Sequence, residues 1–235
     1  MLEVFFVCRM KNMNDVKEII SILEKKGPKD AELIEKAYKF SEKTHASQKR
    51  YSGEPYFNHI FAVAKKVAEM KMDAKTVAAA FLHDAMEDAH VSEEEIKKEF
   101  GDEILFLVRG VTKLGKLKYR GLERHTESLR KFFVAMASDM RVLVIKLCDR
   151  LHNIETLRFV PKEKQRRIAL ETLEIHARLA DRLGMGRLRS GLEDGAFPFA
   201  YPKIIYIFFI NYNFGKSGFF NLSITVILRC FHFSA

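Results

Sequence analysis

The sequence predicts an all-α fold, a helical bundle, on three observations. From Asn14 to about Arg189 apolar residues recur at helical spacing almost throughout. Five prolines and twelve glycines in 235 residues are too few for a turn-rich β-protein. Hydrophobic residues at 48% and charged residues at 30% are those of an ordinary globular chain. A single domain of this size buries about 70–75% of its unfolded surface.

Each element has its own signal. The opening MLEVFFVCRM is a short apolar run with no basic leader, so it is a poor signal peptide, and a start at Met10 or Met13 gives a cleaner soluble chain. Asp30 is placed as the N-cap of a helix carrying Leu33, Ile34, Ala37, Tyr38, Ser41 and Thr44 on one side. Ala74 to Ala89 is rich in the helix formers Ala, Leu and Met and reads as one helix. Ser92-Glu93-Glu94-Glu95 is a capping box, followed by Ile96 and Phe100 at helical spacing. Arg124 to Ala137 is helical. Arg141 to Leu147 has the composition of a buried strand, but nothing breaks the run from Ser138 to Val160, and that is too long for a strand. A last helix, Lys162 to Leu183, opens just after Pro161. The expectation is one domain over residues 14–202 with about six to ten helices.

Residues 203–235 differ. They hold seven of the twenty phenylalanines and no acidic residue. Neither apolar run reaches the ~20 residues of a membrane-spanning helix. A hairpin on a membrane surface, packing against the domain, and a truncated or frame-shifted end are all open. The abrupt change after Pro202 favours the last, so membrane association rests on this tail alone.

The net charge is +9, and three of those charges, Lys203, Lys216 and Arg229, belong to the tail. A basic balance suits an anionic partner. Nucleic acid is disfavoured, because the basic residues are scattered and no helix-turn-helix signature appears. Three distant cysteines, Cys8, Cys148 and Cys230, make no disulfide framework or thiolate metal site, which points to a reducing compartment, the cytoplasm.

Three constellations carry chemistry. In His83-Asp84-Ala85-Met86-Glu87-Asp88, His83 pairs with Glu87 and Asp84 with Asp88 at i,i+4. These polar groups follow the apolar Val77 to Leu82, so either a divalent cation compensates them or the helix end is solvated. In the second, Asp149, Asn153 and Thr156 at i, i+4, i+7 share a helical face that continues an apolar one. It lines a cleft or emerges into water. The third, Gln48 to His59, is a turn with Lys49-Arg50 before Gly53 and a histidine after Pro55. It is an interhelical loop or a holder of a planar anion by ion pairing and stacking. Together His59, His83, Asp84 and Asp149 form a two-imidazole, two-carboxylate set. Without thiolates it suits Mn²⁺, Fe²⁺, Co²⁺ or Mg²⁺ at least as well as Zn²⁺.

That set, with HDxxED, RYSGEPYxxH, GVTKL (Gly110 to Leu114), KLCDRLHN (Lys146 to Asn153) and ETLEIHARLADRLG (Glu171 to Gly184), resembles the HD-domain hydrolase part of the RelA/SpoT homologues over about Asp30 to Pro202. The resemblance implies an HD-type helical bundle with a metal site between helices. It implies a cytoplasmic enzyme that degrades the alarmones ppGpp and pppGpp to GDP or GTP and pyrophosphate. By position, His59, His83, Asp84 and Asp149 match the metal ligands, usually for Mn²⁺. Glu87 and Asp88 match the pair that positions or activates the attacking water. Arg50, Tyr51, Ser52, Asn153 and Thr156 match the nucleotide pocket, with Arg50 at the guanine and Asn153 and Thr156 on the ribose side. Lys49, Arg50 and Arg150 would offset the substrate's charge.

The sequence departs from the family pattern at five residues. Tyr51 stands where a basic residue is common, Ile60 where proline is usual, and His176, Arg178 and Asp181 replace Tyr, Pro and His. No synthetase domain is expected, since the likeness stops near Tyr201-Pro202. The alternatives are a phosphohydrolase acting on another nucleotide, and an inactive nucleotide-binding fragment of a bifunctional enzyme. The oligomeric state is unassigned.

Overall fold

The computed structural model describes residues 15–23, 27–115 and 139–204. The helix expected over Arg124 to Ala137, the opening apolar run and residues 205–235 of the tail lie outside the described residues. Regular structure is helical throughout the described residues, and no described helix is long and apolar enough to cross a membrane.

The chain divides into two units. The first takes the chain through Gln48 and then Pro55–Leu105. The Asp15 carboxylate accepts from the Lys17 amide and opens α1 (Val16–Ile22). In α2 (Pro28–Thr44) the N-cap is Gly27, not Asp30. Pro28 is preorganised for the first turn, and Asp30 sits at the third helical position, where its carboxylate accepts the Gly27 amide at 2.8 Å. The acid therefore caps the helix from inside. Ile34, Ala37 and Ser41 form the buried face.

Helix α3 (Phe57–Glu69) buries His59 with Ile60, Val63, Ala64, Val67 and Ala68. Helix α4 (Ala74–Leu82), capped by Asp73 on the Thr76 amide, packs against both α2 and α3 and is buried almost all round except at Lys75. The single helix expected over 74–89 is thus broken. His83 caps the end of α4, Asp84 sits in a turn at φ −101° and ψ 0°, and α5 (Ala85–Asp88) begins at the next residue. The break re-aims the His-Asp pair.

Helix α6 (Glu93–Gly115) opens where the Ser92 hydroxyl accepts from the Glu95 amide, as its sequence predicts. It is interrupted at Gly101, whose φ of 85° is a conformation that side chains with a Cβ resist. Ile96 and Phe100 are buried as expected.

The second unit holds Lys49–Glu54 and the described residues from Phe106 onward. Its central helix, α7 (Met140–Glu155), confirms the helical reading of the strand-like run. Asp139 caps it through the Arg141 amide at 2.9 Å. A 3₁₀ turn, Leu157–Phe159, closes it. The expected Lys162 to Leu183 helix is α8 (Lys162–Glu171), a π-helical turn over Thr172–Ala177, and α9 (Arg178–Arg182). Helix α10 (Gly186–Ala200) packs on α7, on α8 and on the π turn. It approaches α7 closely, since Gly191 faces Leu151 and Gly195 faces Ile154, where an added Cβ would collide with the isoleucine. Ile154, Leu157, Ala169, Ala196 and Ala200 form the core beneath.

Candidate metal centre and nucleotide-binding residues

In the first unit, helix packing brings His59 of α3 to His83 and Asp84 at the end of α4. Both imidazoles are 1% exposed, with ring centroids 5.5 Å apart. The Asp84 Oδ2 atom lies 3.1 Å from His83 Nε2 and 3.6 Å from His59 Nε2. His83 Nδ1 bonds the Ala80 carbonyl at 2.8 Å. A carbonyl only accepts, so Nδ1 carries a hydrogen, and it is Nε2 that faces the carboxylate. Burial by itself would raise the Asp84 carboxyl, but His83 and His59 hold it well below the usual carboxylate range, so it is an anion. Two buried imidazoles beside an ionised carboxylate fit a divalent cation of intermediate hardness.

Asp88 stands near Asp84. Its carboxylate and that of Asp84 both bond the Tyr56 hydroxyl, at 2.7 and 2.8 Å. Glu87 is half-buried beside it. Tyr56 is a site residue that motif reasoning passed over, although it lies in the quoted RYSGEPYxxH stretch. Its phenol is pushed far up by burial and by Asp84 and Asp88, so it stays a donor. His83 and Glu87 do not ride one continuous helix, because the break at 83–84 separates them.

In the second unit, Asp149, Asn153 and Thr156 do share one face of α7 and its cap. Asp149 is 4% exposed. Lys146 Nζ lies 2.8 Å from its Oδ2, and the Asn153 amide donates to its Oδ1 at 2.5 Å. Arg50 Nη2 donates to Asn153 Oδ1 at 2.7 Å and to Thr156 Oγ1 at 3.2 Å. Gly53, at φ 85°, turns this loop so that the Arg50 amide bonds the Glu54 carbonyl at 3.0 Å. Ser52 Oγ accepts from the Glu54 amide at 3.5 Å, a long contact that closes the same turn.

Tyr51 stands apart from that chain of bonds. It is 65% exposed, and Lys164 Nζ reaches its hydroxyl at 3.5 Å. Arg150 is engaged by Glu171 at 2.7 Å, so its charge is already neutralised inside the protein. His176 is buried in the π turn, with Nδ1 3.3 Å from the Glu171 carbonyl.

An HD domain is matched over residues 37–186, more than half of the chain. The chain belongs to the HD-domain family. Its relatives place it in the RelA/SpoT branch. It is 48% identical over 176 residues to the guanosine-3′,5′-bis(diphosphate) 3′-pyrophosphohydrolase of Aquifex aeolicus, covering 75% of this chain and 25% of that protein. It is 51% identical over 171 residues to the GTP pyrophosphokinase of Streptomyces coelicolor, covering 73% and 20%. The chain thus spans a quarter or less of the length of these two relatives. A solved structure described as a metazoan ortholog of SpoT that hydrolyzes ppGpp superposes with a TM-score of 0.51 at 24% identity, covering 76% of this chain and 97% of that one. That likeness is one of fold, and with the family match it makes the fold an all-α HD domain. Membership of the family implies a divalent metal ion, which His59, His83 and Asp84 fit by their own chemistry.

Proposed function

We propose that this protein is a metal-dependent 3′-pyrophosphohydrolase of ppGpp and pppGpp, acting in the cytoplasm. The observation that carries the reading is the ionised Asp84 set against two buried imidazoles, in a chain whose relatives include a pyrophosphohydrolase of that substrate. His59, His83, Asp84 and Asp149, all within the HD match, are the ligands, and Mn²⁺ is the cation, with other divalent ions able to substitute. Bound there, such a cation lowers the pKa of a coordinated water and polarises phosphorus.

The residues divide the rest of the work. Glu87 and Asp88 orient the attacking water and accept its proton. A bond forms from the water oxygen to the phosphorus on the 3′ oxygen, the bond to that oxygen breaks, and the freed 3′ oxygen takes up the proton given up by the water, which leaves pyrophosphate and GDP or GTP. Arg50 holds the guanine side, and Asn153 and Thr156 the ribose side. Ser52 and Tyr51 complete the rim. Residues 14–202 form the hydrolase domain, and the partner is the nucleotide rather than nucleic acid.

The test is pyrophosphate release from ppGpp by purified protein with Mn²⁺, before and after EDTA. Mn²⁺-dependent release with GDP as co-product supports the proposal. Folded, metal-loaded protein that releases nothing from ppGpp refutes it.

A further inference from the structure

We infer that Tyr56 is a positioning residue of the metal centre, its hydroxyl tying the Asp84 carboxylate to that of Asp88. The inference rests on the function proposed above, in which Asp84 holds the metal and Asp88 handles the water. Tyr56 lies one turn before His59, at the N-cap of α3. Its hydroxyl is 2.8 Å from Asp84 Oδ2 and 2.7 Å from Asp88 Oδ2. Asp84 Oδ2 is also the oxygen that faces both imidazoles. One phenol oxygen therefore spans the ligand that meets the cation and the acid that meets the water.

The ring is held on its face and at its edge, and the backbone beneath it is tied down. His45, 1% exposed, stacks on its face at 5.2 Å and 21°. His59 meets it edge-on at 5.6 Å and 74°. The Tyr56 amide donates to the Gln48 carbonyl at 2.9 Å. Gln48 in turn accepts from His45 Nδ1 at 2.7 Å and donates from its amide to the Asp88 carbonyl at 2.6 Å. His45 and Gln48 thus fix both the tyrosine ring and the backbone of Asp88. With ring and backbone fixed in this way, the hydroxyl meets both carboxylates from one defined position.

A phenol has one hydrogen, which it gives to one carboxylate at a time. Asp84 loses basicity when it shares electrons with a cation, so the hydrogen then goes to Asp88. Tyr56 in this way orients Asp88 in the loaded protein. Groups that orient metal ligands in this manner typically change affinity or activity about 10–100-fold when removed.

Tyr56→Phe keeps the ring and its stack on His45 and removes only the hydroxyl. Titration calorimetry with Mn²⁺ is expected to show affinity about tenfold weaker, and the visible absorption bands of the Co²⁺-loaded protein to shift. With ppGpp, kcat is expected to fall about 10–100-fold with KM within about twofold. In an Asp88→Asn background the same change should lower kcat by no more than about twofold, because Tyr56 acts through Asp88. Wild-type affinity and kcat in Tyr56→Phe would overturn the inference. So would a loss expressed as raised KM with unchanged metal affinity, which would make Tyr56 a substrate contact. Wild-type protein that leaves ppGpp intact removes the proposed function, while the metal-affinity comparison still decides whether Tyr56 positions Asp84.

Discussion

Asn153 donates to Asp149 Oδ1 at 2.5 Å while its carbonyl oxygen accepts from Arg50 at 2.7 Å. A single amide thus links a proposed metal ligand to a proposed nucleotide contact. Its two ends are chemically distinct, one donor and one acceptor, and each is matched. Asn153→Ala is expected to lower kcat/KM for ppGpp about 10–100-fold. Asn153→Asp should lower it further, because a second carboxylate would face Asp149 and no donor would remain. Steady-state kinetics on the two variants checks the order.

The roles proposed for Glu87 and Asp88 should separate from metal binding. Glu87→Gln with Asp88→Asn keeps size and removes both bases. Turnover of ppGpp is expected to fall by about 10²–10⁴-fold, the usual contribution of a positioned acid or base. Bound Mn²⁺, measured by elemental analysis of the dialysed protein, should stay at the wild-type level. Retained turnover would take the water-handling role away from the pair.

Stability should depend on pH through His176. Burial first, then Arg150, holds this imidazole well below its ordinary value, with Lys146 adding to the effect and the Glu171 carbonyl and Asp149 opposing it. The folded protein keeps it neutral, whereas the unfolded chain takes up a proton below about pH 6.5. The unfolded state then binds more protons, so folding stability is lost as pH falls through that value, by up to about 1.4 kcal/mol per pH unit. Urea unfolding at pH 7.5 and 5.5 should show a smaller difference for His176→Gln than for wild type.

Gly110, in the GVTKL motif, serves packing. A Cβ there would lie 2.7 Å from Val142 Cγ2. Gly110→Ala gains about 1 kcal/mol of helix propensity but incurs about 1–3 kcal/mol of overpacking. A net loss of about 1 kcal/mol is expected in urea unfolding. Val142→Ala in the same chain should restore at least part of it, since the valine methyls are what the new Cβ meets.

Legibility followed the length scale of the interaction. Asp149, Asn153 and Thr156 were read onto one face because 3.6-residue periodicity is a property of the chain itself. Composition is a weaker guide over Ala74 to Ala89, which is rich in Ala, Leu and Met and nevertheless breaks at His83 and Asp84. A glycine cap has no side chain to announce it, so the sequence points to Asp30, which instead supports the Gly27 cap from the third helical position.

Local sequence is enough for the helical class, the capping of α6, the helical nature of the run over Arg141 to Leu147, and the residue types proposed as metal ligands. These follow from propensity, spacing and ligand chemistry, which act locally. Only the tertiary structure decided that His45, Gln48 and Tyr56 would converge on Asp84 and Asp88. It also decided that Arg150 would be neutralised by Glu171 and that Tyr51 would face Lys164 rather than the Arg50 chain. Those pairings join residues 21 to 113 positions apart. They depend on how buried faces pack, which no local pattern encodes.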